Sequence, residues 1–190
     1  MRLGLGGALA AAGLRGVGGQ SLAQESTADP IALGAYLPLV LDDPAVLMNF
    51  TAAIGREIDY TIWYEGWASG LFGEQQRAYL ARIRELGLTP VIAWDPMDQN
   101  GPPINQPLYK LSNIIRGDFD DYIDSWADGL AAYGDPVFLN FAHEMNGNWY
   151  PWGIGVNGNQ PGEFVQAWRH VHDRFSAREA NNVVWVWTPN

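Results

Sequence analysis

The densest chemistry in this sequence lies in one ten-residue run, His143-Glu144-Met145-Asn146-Gly147-Asn148-Trp149-Tyr150-Pro151-Trp152. It holds an imidazole, a carboxyl, side-chain amides and three aromatic rings with polar tips. A carboxyl walled by rings such as Trp149 and Trp152 has its charged form desolvated, which suits a group that gives and takes a proton. Glu144 is therefore the candidate general acid/base, with His143 beside it in support. Other readings of the same letters fail. A zinc-protease HExxH motif needs a second His at position 147, where Gly147 stands. His170 and His172 are two apart on a predicted helix and point to different faces. No GxSxG elbow presents a serine nucleophile. With no cysteine there is no thiol nucleophile, zinc-finger site or disulfide framework. The acidic stretch from Asp118 to Asp124 lacks the glycine and closing glutamate of a calcium loop and reads as a solvated helix start. No metal and no cofactor is expected.

The balance of 11 Lys+Arg against 21 Asp+Glu gives a formal charge of −10. That excludes nucleic acid as a partner, because its binding needs a basic face. Nine Trp, eight Tyr and seven Phe are more rings than a core of this size requires. A packed interior takes about half of them, leaving others to line a surface that stacks on something flat. Arg2, the apolar run from Leu3 to Leu14 and the small residues Ser21-Leu22-Ala23 predict a signal peptide over 1–23, cleaved before Gln24. The run is too short to span a bilayer. A linker over 24–30 and a catalytic-type domain over 31–190 follow, with a secreted or extracytoplasmic product and no membrane partner after cleavage.

From residue 31 the chain alternates strand and helix. Strands are predicted over 31–40, 58–64, 89–94, 137–142 and 183–188. Helices are predicted from Asp43-Pro44 to a stop at Gly55, over 74–86 with Leu80, Ile83 and Leu86 inward, over 118–133 closed by Gly134, and over 162–178. Short apolar strands, each followed by an amphipathic helix, predict parallel strands buried on both faces. An open doubly wound sheet and a (β/α)8 TIM barrel both fit. The first strand is followed by no GxGxxG, which weakens the dinucleotide-binding form. In a barrel the working residues sit at the C-terminal strand ends. Tyr36 falls there, as do Trp63, Tyr64 and Glu65, then Trp94, Asp95 and Asp98, then His143 to Trp152, then Trp187. Rings for flat sugar faces, amides and carboxylates for hydroxyls, and a carboxyl for proton work make a carbohydrate site.

The run from His143 to Trp152 resembles glycoside hydrolase family 26, whose best-known members are secreted endo-β-1,4-mannanases. The resemblance covers most of the chain after residue 30. It is carried also by Gly34-Ala35-Tyr36, Trp94-Asp95-Pro96, Ile115-Arg116-Gly117-Asp118-Phe119-Asp120, Asn157-Gly158-Asn159, Ala167-Trp168-Arg169-His170-Val171 and Asn182-Val183-Val184-Trp185-Val186-Trp187-Thr188-Pro189-Asn190. The family implies a (β/α)8 barrel and a retaining, metal-free mechanism. Glu144 would be proton donor and then base, and His143 would help place nucleophile and substrate. Trp94 and Trp149 would stack on sugar rings, while Tyr150 and Trp152 shape the cleft. Asp95, Asn146, Trp63 and Trp187 complete the expected substrate-binding set. Two departures stand out. Asn140 occupies a position where the family usually carries Arg. The family nucleophile, a Glu at the end of strand seven, has no counterpart in the five strands found, so the chain reads as the first five βα units of a longer barrel, truncated at its C-terminus. Three functions are compatible: an endo-β-1,4-mannanase cleaving polysaccharide or oligosaccharide, a mixed-linkage β-glucanase or other glycanase on the same scaffold, and a non-catalytic carbohydrate-binding or exopolysaccharide-associated protein.

Overall fold

Five strands pair in the order of the chain, all parallel: β1 (Gly34–Ala35), β2 (Tyr60–Gly66), β3 (Thr89–Asp95), β4 (Val137–Phe141) and β5 (Val183–Trp185). The structure is a computed structural model, and it describes residues 31–190. The expected signal peptide and linker lie outside those residues. Between the strands run α1 (Ala45–Ile54), α2 (Glu74–Glu85), the short α3 (Leu111–Ile115), α4 (Asp120–Tyr133) and, after β4, α5 (Glu163–Ala177). Among the described residues this is a run of βα units in barrel order, in agreement with the expected architecture.

Local sequence explains the boundaries. α1 stops at Gly55, which takes φ +72° and returns its N–H to the Thr51 carbonyl. α4 stops at Gly134 in the same way, at φ +82°. At the start of α2 the Gln76 side chain reaches back to the Gly73 N–H at 2.9 Å, so one of the unpaired N–H groups at the helix start is satisfied. The first strand is shorter than predicted. Pro38 has no N–H to give a ladder, and the chain turns at once, with Val40 N–H on the Leu37 carbonyl and Leu39 at φ +71°. β5 ends at Trp185 rather than at 188, ahead of Pro189, although the Val186 N–H still reaches the Leu139 carbonyl at 2.9 Å. α3 was not predicted. Its five residues are too few to show a period, yet Leu111 and Ile114 are wholly buried.

The helices cover one face of the sheet. Ile92 and Trp94 of β3, and Leu139 and Phe141 of β4, pack there with Ile83 of α2, Trp126 and Leu130 of α4 and Val171 of α5. Each such aliphatic or aromatic side chain contributes about 1.5–3 kcal/mol of burial. α4 and α5 are also joined at four-residue intervals, by a hydrogen bond of Asp120 with His170 and by ion pairs of Asp124 with Arg174 and Asp128 with Arg178. The opposite face is buried on the central strands, at Ala93 and Asn140, as expected, and more open elsewhere: Tyr60, edge-on to Phe138 at 5.1 Å, Tyr64 and Val184 are half-buried or exposed.

Candidate active site

Beyond Phe141 the chain bends twice. Ala142 and Glu144 both take φ +52°, a region that non-glycine residues enter at a cost. Four hydrogen bonds hold the bend: Ala142 N–H on the Trp94 carbonyl at 3.1 Å, Trp152 Nε1–H on the His143 carbonyl at 2.7 Å, Glu144 N–H on the Thr188 carbonyl at 2.8 Å, and Gly147 N–H on the Glu144 carbonyl at 2.9 Å. The bend leaves the Glu144 side chain half-exposed at the carboxyl end of β4. Its Oε2 accepts the Trp149 indole N–H at 2.8 Å. Trp149 itself is 44% exposed, so a ring face remains open next to the carboxyl. A carboxyl with one oxygen fixed and the group open to solvent can exchange a proton in a defined direction.

His143 is buried and engaged at both nitrogens. Nδ1 lies 3.0 Å from Asp95 Oδ1 at the end of β3, and Nε2 lies 3.1 Å from the Tyr150 hydroxyl. Burial pulls the imidazole down, but the Asp95 hydrogen bond and charge, with the charge of Glu144, outweigh it, and the net shift is upward. Burial pushes the Asp95 carboxyl up, and the His143 contact takes back part of that. Tyr64 of β2 meets the imidazole edge-on at 5.9 Å and Tyr36 at 5.3 Å. Burial, then the Asp95 charge, raises the Tyr64 phenol, and burial, then the Glu144 charge, raises that of Tyr150. Both therefore stay protonated, as hydrogen-bonding hydroxyls.

The structure brings together Glu144, His143, Asp95, Trp149 and Tyr150. Several placements differ from expectation. Trp94 is 0% exposed; its ring stacks on Tyr122 at 5.7 Å and its N–H reaches the Tyr122 hydroxyl, so it has no face for a sugar. Trp152 is also wholly buried, stacked on Tyr150 at 4.5 Å, and supports the bend instead of lining it. Trp63 is buried on the helical side against Tyr79, its indole N–H on Glu65 Oε2 at 3.0 Å. Asp95 is 3% exposed and committed to His143. Asn146 spends its amide on the backbone of Asn190, giving at 2.9 Å and receiving at 2.8 Å. Trp187 is exposed, but its ring packs on Phe164 and Trp168 of α5, toward the helical side. Asn140, in the place of the family Arg, accepts the Thr188 hydroxyl at 3.0 Å. Tyr64 and Tyr36 stand at strand ends beside His143 and lie outside the expected substrate-binding set. The alternation of β2 was the available signal, since Trp63 and Glu65 go to the helices and Tyr64 between them must face the other way.

Parallel βα units with the polar groups gathered beyond the carboxyl ends of the strands define a (β/α)-barrel type of protein with its site at the usual end. Comparison with known proteins gives the family. The family model of glycosyl hydrolase family 26 matches residues 97–190. Endoglucanase H of Acetivibrio thermocellus is 30% identical over 164 residues, which is 84% of this chain and 17% of that protein. Mannan endo-1,4-beta-mannosidase A and B of Caldalkalibacillus mannanilyticus is 36% identical over 78 residues, 37% of this chain and 15% of that protein. Among solved structures, a Bacillus subtilis mannanase shares the fold with a TM-score of 0.58 at 18% identity, over 83% of this chain and 55% of that one. The chain belongs to glycoside hydrolase family 26. It spans less than a fifth of the length of either curated relative and about half that of the solved mannanase.

Proposed function

We propose that this protein is a retaining β-glycoside hydrolase that cleaves β-1,4-mannan outside the cytoplasm, with Glu144 as acid and then base. The supporting observation is the Glu144 carboxyl at the end of β4, fixed by the Trp149 indole at 2.8 Å beside an open ring face. In the first step Glu144 protonates the glycosidic oxygen as its bond to the anomeric carbon breaks, and a second carboxylate attacks that carbon. In the second step Glu144 takes a proton from water, and the water oxygen displaces the carboxylate. Retention requires the two carboxyls to lie about 5–5.5 Å apart. Among the described residues, Asp95 is tied to His143, and Glu65 is held by Trp63 and Gln76 on the helical side. Neither is free to attack, so the second carboxylate of this mechanism is neither of these two. The apolar run near the N-terminus supports the extracytoplasmic location.

A mixed-linkage β-glucanase is the second reading, because the relative aligned over 84% of this chain is named an endoglucanase. The test is reducing-end release from β-mannan, mixed-linkage glucan and xylan by the protein and its Glu144→Gln variant. Release from mannan that falls by about 10²–10⁴-fold in the variant is expected. Mixed-linkage glucan as the preferred polymer would select the second reading. Oligosaccharide binding with no turnover on any polymer would leave a non-catalytic carbohydrate binder, and a variant as fast as the wild type would overturn the role of Glu144.

A further inference from the structure

The loops that follow β3 and β4 enclose a groove of about 410 Å³ at the same end of the sheet as Glu144. Ile104 and Ile154 line it with exposed aliphatic side chains, Val156 and Asn157 complete its wall, and Asn105 and Asn148 supply its polar groups. No charged side chain lines it, although the chain carries a net charge of −10. Apolar surface with a few amides and no charge suits a neutral ligand rich in hydroxyls. We propose that this groove is a remote sugar subsite, which holds a further unit of the β-glycan whose reacting part lies at Glu144 and Trp149. The proposal rests on the glycanase reading for its ligand and extends the site beyond the residues at the reacting bond.

The two loops are fixed to each other without help from a ligand. Asn157, at φ +54°, joins them in both directions: its Oδ1 accepts the Gln106 N–H at 3.0 Å and its amide donates to the Gln106 carbonyl at 2.7 Å. The buried Gln106 side chain braces the first loop, accepting the Asp98 N–H at 2.7 Å and donating to the Asp98 and Pro102 carbonyls. The buried Asn159 adds a second tie, accepting the Leu111 N–H at 3.0 Å and donating to the Pro151 carbonyl at 2.6 Å. Those amides belong to the scaffold. The side-chain amides of Asn105 and Asn148 do not: both are exposed, and neither forms a hydrogen bond among the described residues. Each offers two N–H donors and a carbonyl acceptor, which matches a sugar hydroxyl that both gives and accepts. The groove is also continuous with the site. Asn148 directly precedes Trp149. A Cβ built on Gly153 would meet both the Gly147 carbonyl and the Val156 side chain, and one built on Gly147 would meet the Trp149 ring, so one packed layer runs from the groove wall to that ring. A glycan that leaves the open face of Trp149 over this layer arrives at Asn148 and the groove.

The experiment is calorimetry in a Glu144→Gln background, which removes turnover, with β-1,4-mannan oligomers from dimer to hexamer and with mixed-linkage β-glucan oligomers of the same lengths. The groove is tested with Asn105→Ala and Asn148→Ala; both positions are exposed and neither has positive φ, so alanine leaves the backbone in place. Each variant binds the mannan hexamer about fivefold more weakly than the intact groove does, the worth of one hydrogen bond of about 1 kcal/mol, and the loss shrinks as the oligomer shortens. The side-chain NH₂ signals of Asn105 and Asn148, assigned in NMR spectra by their disappearance in the two variants, shift when the hexamer is added. Hexamer affinity unchanged in both variants, with those signals unmoved, overturns the subsite and leaves the glycanase reading standing. A loss of equal size for dimer and hexamer also overturns it, because the substitutions would then act on the units at Trp149. A length-dependent loss seen with the glucan series alone supports the subsite and replaces mannan by mixed-linkage glucan as the polymer. No binding of either series overturns the subsite together with the glycanase reading.

Discussion

Gly147 sits under the indole that fixes Glu144, and a single methyl group there tests whether that indole matters. A Cβ built on Gly147 would lie 2.5 Å from both Cε2 and Cζ2 of Trp149 and 2.8 Å from Cη2. Ordinary contact begins near 3.4 Å, so in Gly147→Ala the ring withdraws by about 0.9 Å. A movement of that size carries the 2.8 Å bond from Trp149 Nε1 to Glu144 Oε2 beyond hydrogen-bonding range. Gly147 is not among the glycines with positive φ, so alanine adds no backbone strain. The ring is 44% exposed, so the cost in stability is about that of the one hydrogen bond lost, about 1 kcal/mol. The cost in function is larger, because a displacement of about 1 Å beside a reacting group lowers turnover by about 100-fold. The assay pairs kcat/KM on mannan with Tm, and Trp149→Phe serves as the control that loses the N–H without the push. A Gly147→Ala protein within twofold of wild type in kcat/KM would refute the reasoning. So would a crystal structure of that variant with the indole still on Glu144.

Two further outcomes follow from the packing and charges. Gly129→Ala in α4 drives a Cβ into the ring of Phe72, which is buried, edge-on to Trp126 and held by its N–H on the Ser125 hydroxyl; with three ring atoms too close, the overpacking cost is about 2–3 kcal/mol against a helix-propensity gain of about 1 kcal/mol, and urea denaturation is expected to show a net loss of about 1–2 kcal/mol, against which a neutral or stabilised variant would count. His143 and Asp95 both titrate higher in the folded chain, so the stability each adds is complete below its unfolded value, near 6.5 and 3.9, and is lost as pH rises through the folded one. Between pH 5.5 and 8.5 the wild type should therefore lose more stability than Asp95→Asn in urea titrations; equal slopes would remove the pair from the account.

The elements that could be read in advance were those with a full period and a stop residue. α4 and α5 announce a buried stripe, and Gly55 and Gly134 end helices because their positive φ suits glycine. α3 was illegible because five residues cannot display a period, and the first strand was overextended because the apolar letters around Pro38 outweighed its missing donor. At the site, Glu144 and Trp149 were legible because they share one contiguous run. The rings of Trp94 and Trp63 were assigned by type, and type does not say which side of a sheet a ring takes. The period of two could have corrected part of this. Trp94 and Asp95 are neighbours on β3 and must face opposite sides, so both could not line the cleft. Five of the nine tryptophans are buried, and for the two on strands, Trp63 and Trp94, parity decides it.

The strongest sign of a working site is conformational. Ala142 and Glu144 flank His143 in left-handed conformations that cost about 1–2 kcal/mol each. Leu39, Asn157 and Glu179 also take positive φ, but among the described non-glycine residues Ala142 and Glu144 are the pair that stands on either side of one residue. The surrounding structure holds the strain in place from three directions: β3 through the Trp94 carbonyl, the segment after β5 through the Thr188 carbonyl, and the wholly buried Trp152 through the His143 carbonyl. What the strain achieves is separation of neighbours. His143 turns inward to Asp95 while Glu144, one residue on, turns toward Trp149 and solvent. Relaxing the bend would send the carboxyl into the core or the imidazole out of it, so the fold spends stability to hold a half-exposed carboxyl next to a buried imidazole.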